Sequence, residues 1–212
     1  MATQAQAKRD ASAIESELSR IGLLLQHDAR LPSATSFIAG EPIAGSWWGH
    51  ALGNRIYAAL VELERGRGKL SAKLVNGKIT YVDRKLWPAF VCLASEQSEA
   101  ASDGLSAVAR RLLELTREGY RFRLDEAPAN QIGTARERAS AARELEQRVL
   151  LHSESEHTTS GAHVKRLTSW GDWARIAGVT PLADPSGART ELEEAVARLT
   201  ASAARGVRVV FI

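Results

Sequence analysis

Between Arg136 and Ala174 the spacing of apolar residues changes once, and that change predicts the fold. Ala135, Ala139, Ala142, Leu145 and Val149 recur every three or four positions, the mark of an amphipathic helix. The opposite face holds Arg136, Ser140, Arg143 and Gln147, side chains that reach phosphates or base edges when a helix enters a major groove. From Val149 the period shortens to two. Val149, Leu151, Ser153, Ser155 and His157 alternate with Leu150, His152, Glu154 and Glu156; Thr159-Ser160-Gly161 then supplies a turn and Ala162 to Leu167 a returning strand. Helix, strand, turn and strand in this order predict a winged helix-turn-helix, completed by a short helix from Gln131.

Elsewhere the pattern is mostly helical. Met1 to Ser12 is rich in Ala, Gln and charge and reads as a loose tail, whereas Ile14, Leu18, Ile21, Leu24 and Leu25 predict a helix from Ala13 to Leu25. A short helix at Ala34 to Ala39 precedes the Gly40-Glu41-Pro42 loop. Ser46 is placed to cap a long helix with Trp47, Trp48, Leu52, Ile56, Leu60 and Leu63 on its pattern, ended by Gly66 and Gly68. Asn76-Gly77, between two β-rich runs, predicts a two-residue hairpin of type I′, because both residues tolerate positive φ. Asp83 then caps a helix through Trp87 and Pro88 to Ala94, and Ser95 to Asp103 reads as the boundary between halves. Leu105 to Leu115 predicts a helix stopped by Gly119, and Leu192, Val196 and Leu199 another from Ala188. Val207 to Ile212 is β-rich and is expected to pair with an existing sheet, a wing edge among the candidates.

The expected architecture is therefore α+β: two winged-helix-like modules, helices plus β-hairpin wings, packed in one compact unit. Residues 1–12 form the tail, 13–94 the first module, 104–178 the second, and 188–212 a C-terminal helix and strand. At 212 residues and 44% hydrophobic, the chain is long and apolar enough for either one large core or two small ones. Its formal charge of +3 permits nucleic-acid binding without requiring it. Position says more than total. From His50 to Phe90 eight Lys or Arg face three acidic residues, and Arg65, Arg67 and Lys69 cluster in a glycine-rich loop.

Candidate chemistry is sparse. Cys92 is the only cysteine, which rules out an intrachain disulfide or a cysteine-based metal site, and its apolar neighbours make it a packing residue. His152, His157 and His163 share the ribbon, but His152 and His157 fall on opposite faces by alternation, against shared ligation. No metal and no cofactor are expected. Two adjacent tryptophans cannot both face inward, so one of Trp47 and Trp48 is expected at a surface, with His50 and Arg55 near enough to share it. Trp47, Trp48 and Trp87 have the chemistry to stack an unpaired base, although such tryptophans more often close a core. No run reaches the length of a membrane helix, and a cytoplasmic location is expected.

Several motifs together resemble the small winged-helix proteins related to the bacterial DNA glycosylases that unhook interstrand crosslinks. They are Ile21-Gly22-Leu23-Leu24-Leu25 with Leu31-Pro32-Ser33, Trp47-Trp48, Lys73-Leu74 through Arg84-Lys85-Leu86-Trp87-Pro88, and the hairpin pattern from Leu145 to Trp173. The resemblance implies tandem winged helices and a DNA-repair or protection setting. In the large glycosylases a Gln-x-Asp motif places the catalytic water, and Gln26-His27-Asp28 has that spelling here. The expected function is duplex DNA binding through Arg136, Ser140, Arg143, Gln147, Lys165 and Arg166, with Arg65, Arg67, Lys69, Trp48, His50 and Arg55 on the first module. The alternatives are a winged helix that binds a protein partner, and base excision through Gln26 and Asp28. A continuous positive stripe from Arg136 and Arg143 to Lys165 and Arg166 favours DNA; a mixed face favours protein.

Overall fold

The computed structural model describes residues 3–65, 69–101, 103–127, 132–157, 163–201 and 207–211. The fold is α+β, with two small antiparallel sheets. Residues up to Trp87 together with Arg189–Val210 form one unit, and Pro88–Ala188 with Phe211 the other.

In the first unit helix α1 (Gln4–Ile21) begins well inside the expected tail. Thr3 caps it, accepting from the Gln6 N–H at 3.2 Å, and Ala7, Asp10 and Ala11 are buried. The buried Asp10 carboxylate takes a bidentate pair from Arg55, at 2.7 and 2.8 Å. That distant partner is why an alanine- and charge-rich segment is ordered. The Arg55 hydrogen bonds hold the Asp10 pKa below the usual carboxylate range. The helix stops at Gly22, and Leu23–Leu25 is strand β1 rather than a helix end. All three leucines are buried, and an apolar run buried on both faces carries no period to betray its type.

Helix α2 (Ala34–Ala39) follows. The expected long helix from Trp47 is instead a 3-10 turn, Trp47–Gly49, and a separate helix α3 (Gly53–Arg65), and Ser46 makes no side-chain cap. Gly53 shows why: a Cβ there would lie 2.9 Å from the Trp48 carbonyl oxygen, so the turn folds directly onto the helix start. Strands β2 (Leu70–Val75) and β3 (Lys78–Val82) form the expected hairpin, with φ of 53° at Asn76 and 67° at Gly77. β3 lies between β1 and β2, with Leu23 opposite Val82 and Leu70 opposite Val82 on the other side. As expected, the C-terminal run joins a sheet: Val209 bridges Val75 and Val210 N–H donates to Leu74, which covers the outer edge of β2. The core gathers Ile14, Leu18, Leu24, Ile56, Leu60, Leu63 and Tyr81.

Helix α4 (Trp87–Ala100) opens with Pro88 in its first turn and runs through the stretch expected to separate the halves. The second unit then repeats the order of the first. Helix α5 (Ala107–Arg117), strand β4 (Phe122–Arg123), helix α6 (Ala135–Gln147) and strands β5 (His152–His157) and β6 (His163–Thr168) follow in turn. Ile132, buried in a helical turn, precedes α6; Gln131, Thr159, Ser160, Gly161 and Ala162 lie outside the described residues. Here too the last strand sits in the middle, in the order β4-β6-β5, over a core of Leu105, Leu112, Leu113, Ala142, Leu145 and Leu167. Val149 to Leu151 is not strand; all three residues are buried where α6 turns into β5. Helices α7 (Trp170–Ala177) and α8 (Pro185–Thr200) follow, ahead of the segment that joins the first sheet.

Two substitutions test these assignments. Gly77→Ala places a Cβ on a left-handed residue and is expected to lower stability by about 1 kcal/mol in urea unfolding. Arg55→Met leaves the buried Asp10 carboxylate without its cation and, because that cation is partly exposed, is expected to cost about 1 to 2 kcal/mol, part of it restored in Asp10→Asn/Arg55→Met, where no charge is buried.

Candidate functional site

Helix α6 begins with a capping box. Thr134 Oγ1 accepts from the Glu137 N–H at 3.3 Å, while Glu137 Oε2 accepts from the Thr134 N–H at 2.7 Å. Two helix-end donors are thereby satisfied, and a negative charge sits at the positive end of the dipole. Arg136, Ser140, Arg143 and Gln147 are all exposed, as their spacing predicts. The side chain of Arg136 makes no ion pair or hydrogen bond with the described residues, and Arg143 only donates from Nε to the Ala139 carbonyl at 3.2 Å.

The buried face is rolled relative to expectation. It comprises Arg138, Ala141, Ala142, Leu145 and Glu146, whereas Ala135 is exposed and Ala139 half-buried. Arg138 is tied on that face: its Nη1 donates to the Gly133 carbonyl at 2.7 Å and its Nε to the Leu124 carbonyl at 3.2 Å. Beside it, Leu124, Asp125, Ala135, Arg138, Ala139, Arg143, Val164 and Lys165 line a groove of about 440 Å³. Sequence reasoning passed over Arg138, although an arginine within an alanine-rich helical face was a signal of a buried polar tie.

The ribbon corrects the expected positive stripe. Lys165 and Arg166, as neighbours on β6, point to opposite faces. Lys165 pairs with Glu146, which also accepts from Ser153 Oγ at 2.6 Å. Arg166 is held bidentately by Glu156 at 2.6 and 3.0 Å, which keeps the Glu156 pKa below its usual range. Arg121 likewise pairs with Glu154 at 3.0 Å. Lys165 is neutralised by Glu146 of α6 and Arg166 by Glu156 of the ribbon, so the positive charge does not run on continuously from α6.

In the first unit Trp48 is 63% exposed and stacks on half-buried Trp47 at 4.2 Å, with Tyr57, 50% exposed, 5.3 Å beyond. The expectation that one tryptophan faces outward holds. Tyr57 went unrecognised because it lies off the helix's apolar period. Trp87 instead closes the core, donating its indole N–H to the Val82 carbonyl at 2.9 Å. His50 bonds Glu41 at 3.2 Å, Arg65 pairs with Glu62 at 3.4 Å, and Lys69 pairs with Glu15. Arg55 is tied to the buried Asp10 carboxylate. Arg67 lies outside the described residues.

Gln26 and Asp28 hold different partners. Asp28 Oδ1 accepts from the N–H groups of Arg30 and Leu31 at 2.7 and 3.0 Å, and Oδ2 from Lys78 Nζ at 2.6 Å. Burial works to raise its pKa, but these three donors outweigh it and hold the carboxyl below the usual range. Gln26 Nε2 turns instead to Tyr81 Oη at 3.2 Å and Glu64 at 3.4 Å.

His152 is buried against Trp170 and Trp173, with ring centroids 5.4 and 5.6 Å away. Its Nδ1 and the Oγ1 of Thr168, the residue opposite it in the ladder, are buried without hydrogen-bond partners among the described residues. Among the described residues no three His, Cys, Asp or Glu side chains converge as a metal site, and no helix is long and apolar enough to cross a membrane. Compared with known protein families, curated proteins and solved structures, the chain shows no match.

Burial, reinforced by the charge of Arg121, lowers the His152 pKa from 6.5 to about 4. The unfolded chain therefore takes up a proton near pH 6.5 that the folded chain excludes until about pH 4. Stability is expected to fall by about 3 kcal/mol as pH drops through that window, with no contribution from this residue above it. Urea unfolding of wild type and His152→Phe across pH 4 to about 7 checks this, because the variant should lack that part of the slope.

Proposed function

We propose that this chain is a winged-helix protein that binds duplex DNA through the exposed face of α6, in the repair or protection setting implied by its sequence resemblance, and that it acts in the cytoplasm. The order helix, strand, helical turn, helix, strand, strand, with the last strand central, supports the winged-helix assignment. In such modules the last helix before the ribbon is the one that enters the groove. The observation that carries the reading is the pair Arg136 and Arg143, exposed on that helix without carboxylate partners among the described residues, with Ser140 between them and Gln147 one turn on.

Charge sets the expected strength. Two arginines that each neutralise one phosphate give a log–log salt slope near −1.8, so affinity falls about twelvefold between about 50 and 200 mM salt. This describes a modest binder whose contacts are mainly positional. Base excision through Gln26 and Asp28 gains no support, since Asp28 is occupied by three donors. The protein-partner alternative is favoured by two features: the interrupted positive stripe of the second unit, and, in the first, the equivalent helix α3, which presents Tyr57 beside exposed Trp48 and carries a mixed set of charges, Arg55, Glu62, Glu64 and Arg65.

Fluorescence anisotropy with a labelled duplex tests the proposal. Arg136→Ala/Arg143→Ala is expected to weaken binding at least tenfold at low salt and to flatten the slope by about 1.8. Unchanged affinity in a variant with a native circular dichroism spectrum removes α6 from any nucleic-acid interface.

A further inference from the structure

Arg138 is 6% exposed, yet the acceptors of its guanidinium are two carbonyl groups, and no described carboxylate lies within ion-pairing distance. A buried cation ordinarily has a counter-charge, because carbonyl dipoles offset only part of the desolvation penalty. The acids around it are engaged elsewhere. Asp125, on the groove wall, is held by Arg123 at 2.6 and 3.1 Å; Glu137 closes the helix cap; Glu146 pairs with Lys165. Of the groove's cations, Arg138 and Arg143 are thus left without a carboxylate among the described residues.

We propose that the groove between α6 and β6 is an anion seat for a phosphate group. Ala135, Ala139 and Arg143 recur every four residues and make one ridge of the helix, so two small side chains leave the wall open beside the two guanidiniums. Arginine suits this ligand, since its fork of N–H donors matches phosphate oxygens. The volume, about 440 Å³, is of ligand-site size and exceeds what a bare phosphate requires, which favours a phosphate carrying substituents. Lys165, with its ammonium on Glu146, borders the seat and keeps two further donors. That the phosphate belongs to a DNA backbone rests on the proposed function; the anion chemistry of the groove stands apart from it.

The test fills the groove without changing its charge. Inorganic phosphate is titrated into wild type and Ala139→Leu at constant ionic strength, following backbone amide NMR shifts of Val164 and Lys165. Wild type is expected to show saturable shifts, and Ala139→Leu to bind at least tenfold more weakly, equivalent to about 1.4 kcal/mol. Ala135→Leu fills the same groove from the first helical turn and replaces the first variant if that one loses its native spectrum. Absence of saturation in wild type, or undiminished binding in the filled variant, overturns the seat. A duplex arm then identifies the source of the phosphate. Parallel loss of duplex affinity, with a salt slope flatter by about one, assigns a backbone phosphate. Lost phosphate binding with intact duplex affinity assigns a free or terminal phosphate. Failure of the seat alone leaves the effect of Arg136→Ala/Arg143→Ala on duplex binding in place, so the two proposals fail separately.

Discussion

The guanidinium of Arg138 sets the orientation of α6. By tying Leu124 and Gly133, it fixes which residues of the helix face inward, since each residue is turned about 100° from the last. With position 138 inside, Arg136, Ser140, Arg143 and Gln147 lie together in solvent on the opposite side. Position 138 lies only about 60° around the helix from position 135, so the tie acts on the same side as the alanine-rich stripe and holds that side inward through both carbonyl contacts. A buried polar tie therefore holds inward the side of α6 opposite the face the unit presents, and it places a cation without a carboxylate partner among the described residues beside the groove.

Register determines which other cations remain available. Pairing His152 with Thr168 sets Glu154 opposite Arg166 and brings Glu156 within reach of its guanidinium. Because side chains alternate, a one-residue slip would send these glutamates to the other face. Paired charges largely cancel at a distance, whereas an isolated charge acts over roughly a Debye length, about 8 Å at physiological salt. Among the described residues of α6 and the ribbon, the charges left without an opposite partner are therefore on the helix, Arg136, Arg138 and Arg143 together with Glu137 and Glu144.

The parts of the fold legible in sequence are those in which a local rule leaves little choice. Asn76-Gly77 is such a case, because two successive positive φ angles admit few residues. The Leu105 to Leu115 helix is another, having a clean period and a polar opposite face. Leu23-Leu24-Leu25 fits helix and strand equally well until Val82 and Thr80 are known to lie across from it. The start of α1 depends on Arg55, forty-five residues away in the chain. The exposed face of the candidate site was readable from helical spacing alone, but the pairing of Lys165, Arg166 and Arg55 was not, since each partner comes from another element.

The two units share an order of elements and protect their outer strands by different means. In the first, the segment ending at Val210 covers β2, with Arg208 also exchanging hydrogen bonds with Asn76. In the second, no described strand pairs with the outer edge of β5, whose sequence carries Glu154 and Glu156. Charge on an exposed strand opposes edge-to-edge association. The same glutamates neutralise Arg121 and Arg166, so protection of the edge and removal of positive charge from the ribbon come from one pair of residues. Replacing them to make the ribbon more basic would also leave an edge open to strand pairing, a physical reason for positive charge to be carried on α6 instead.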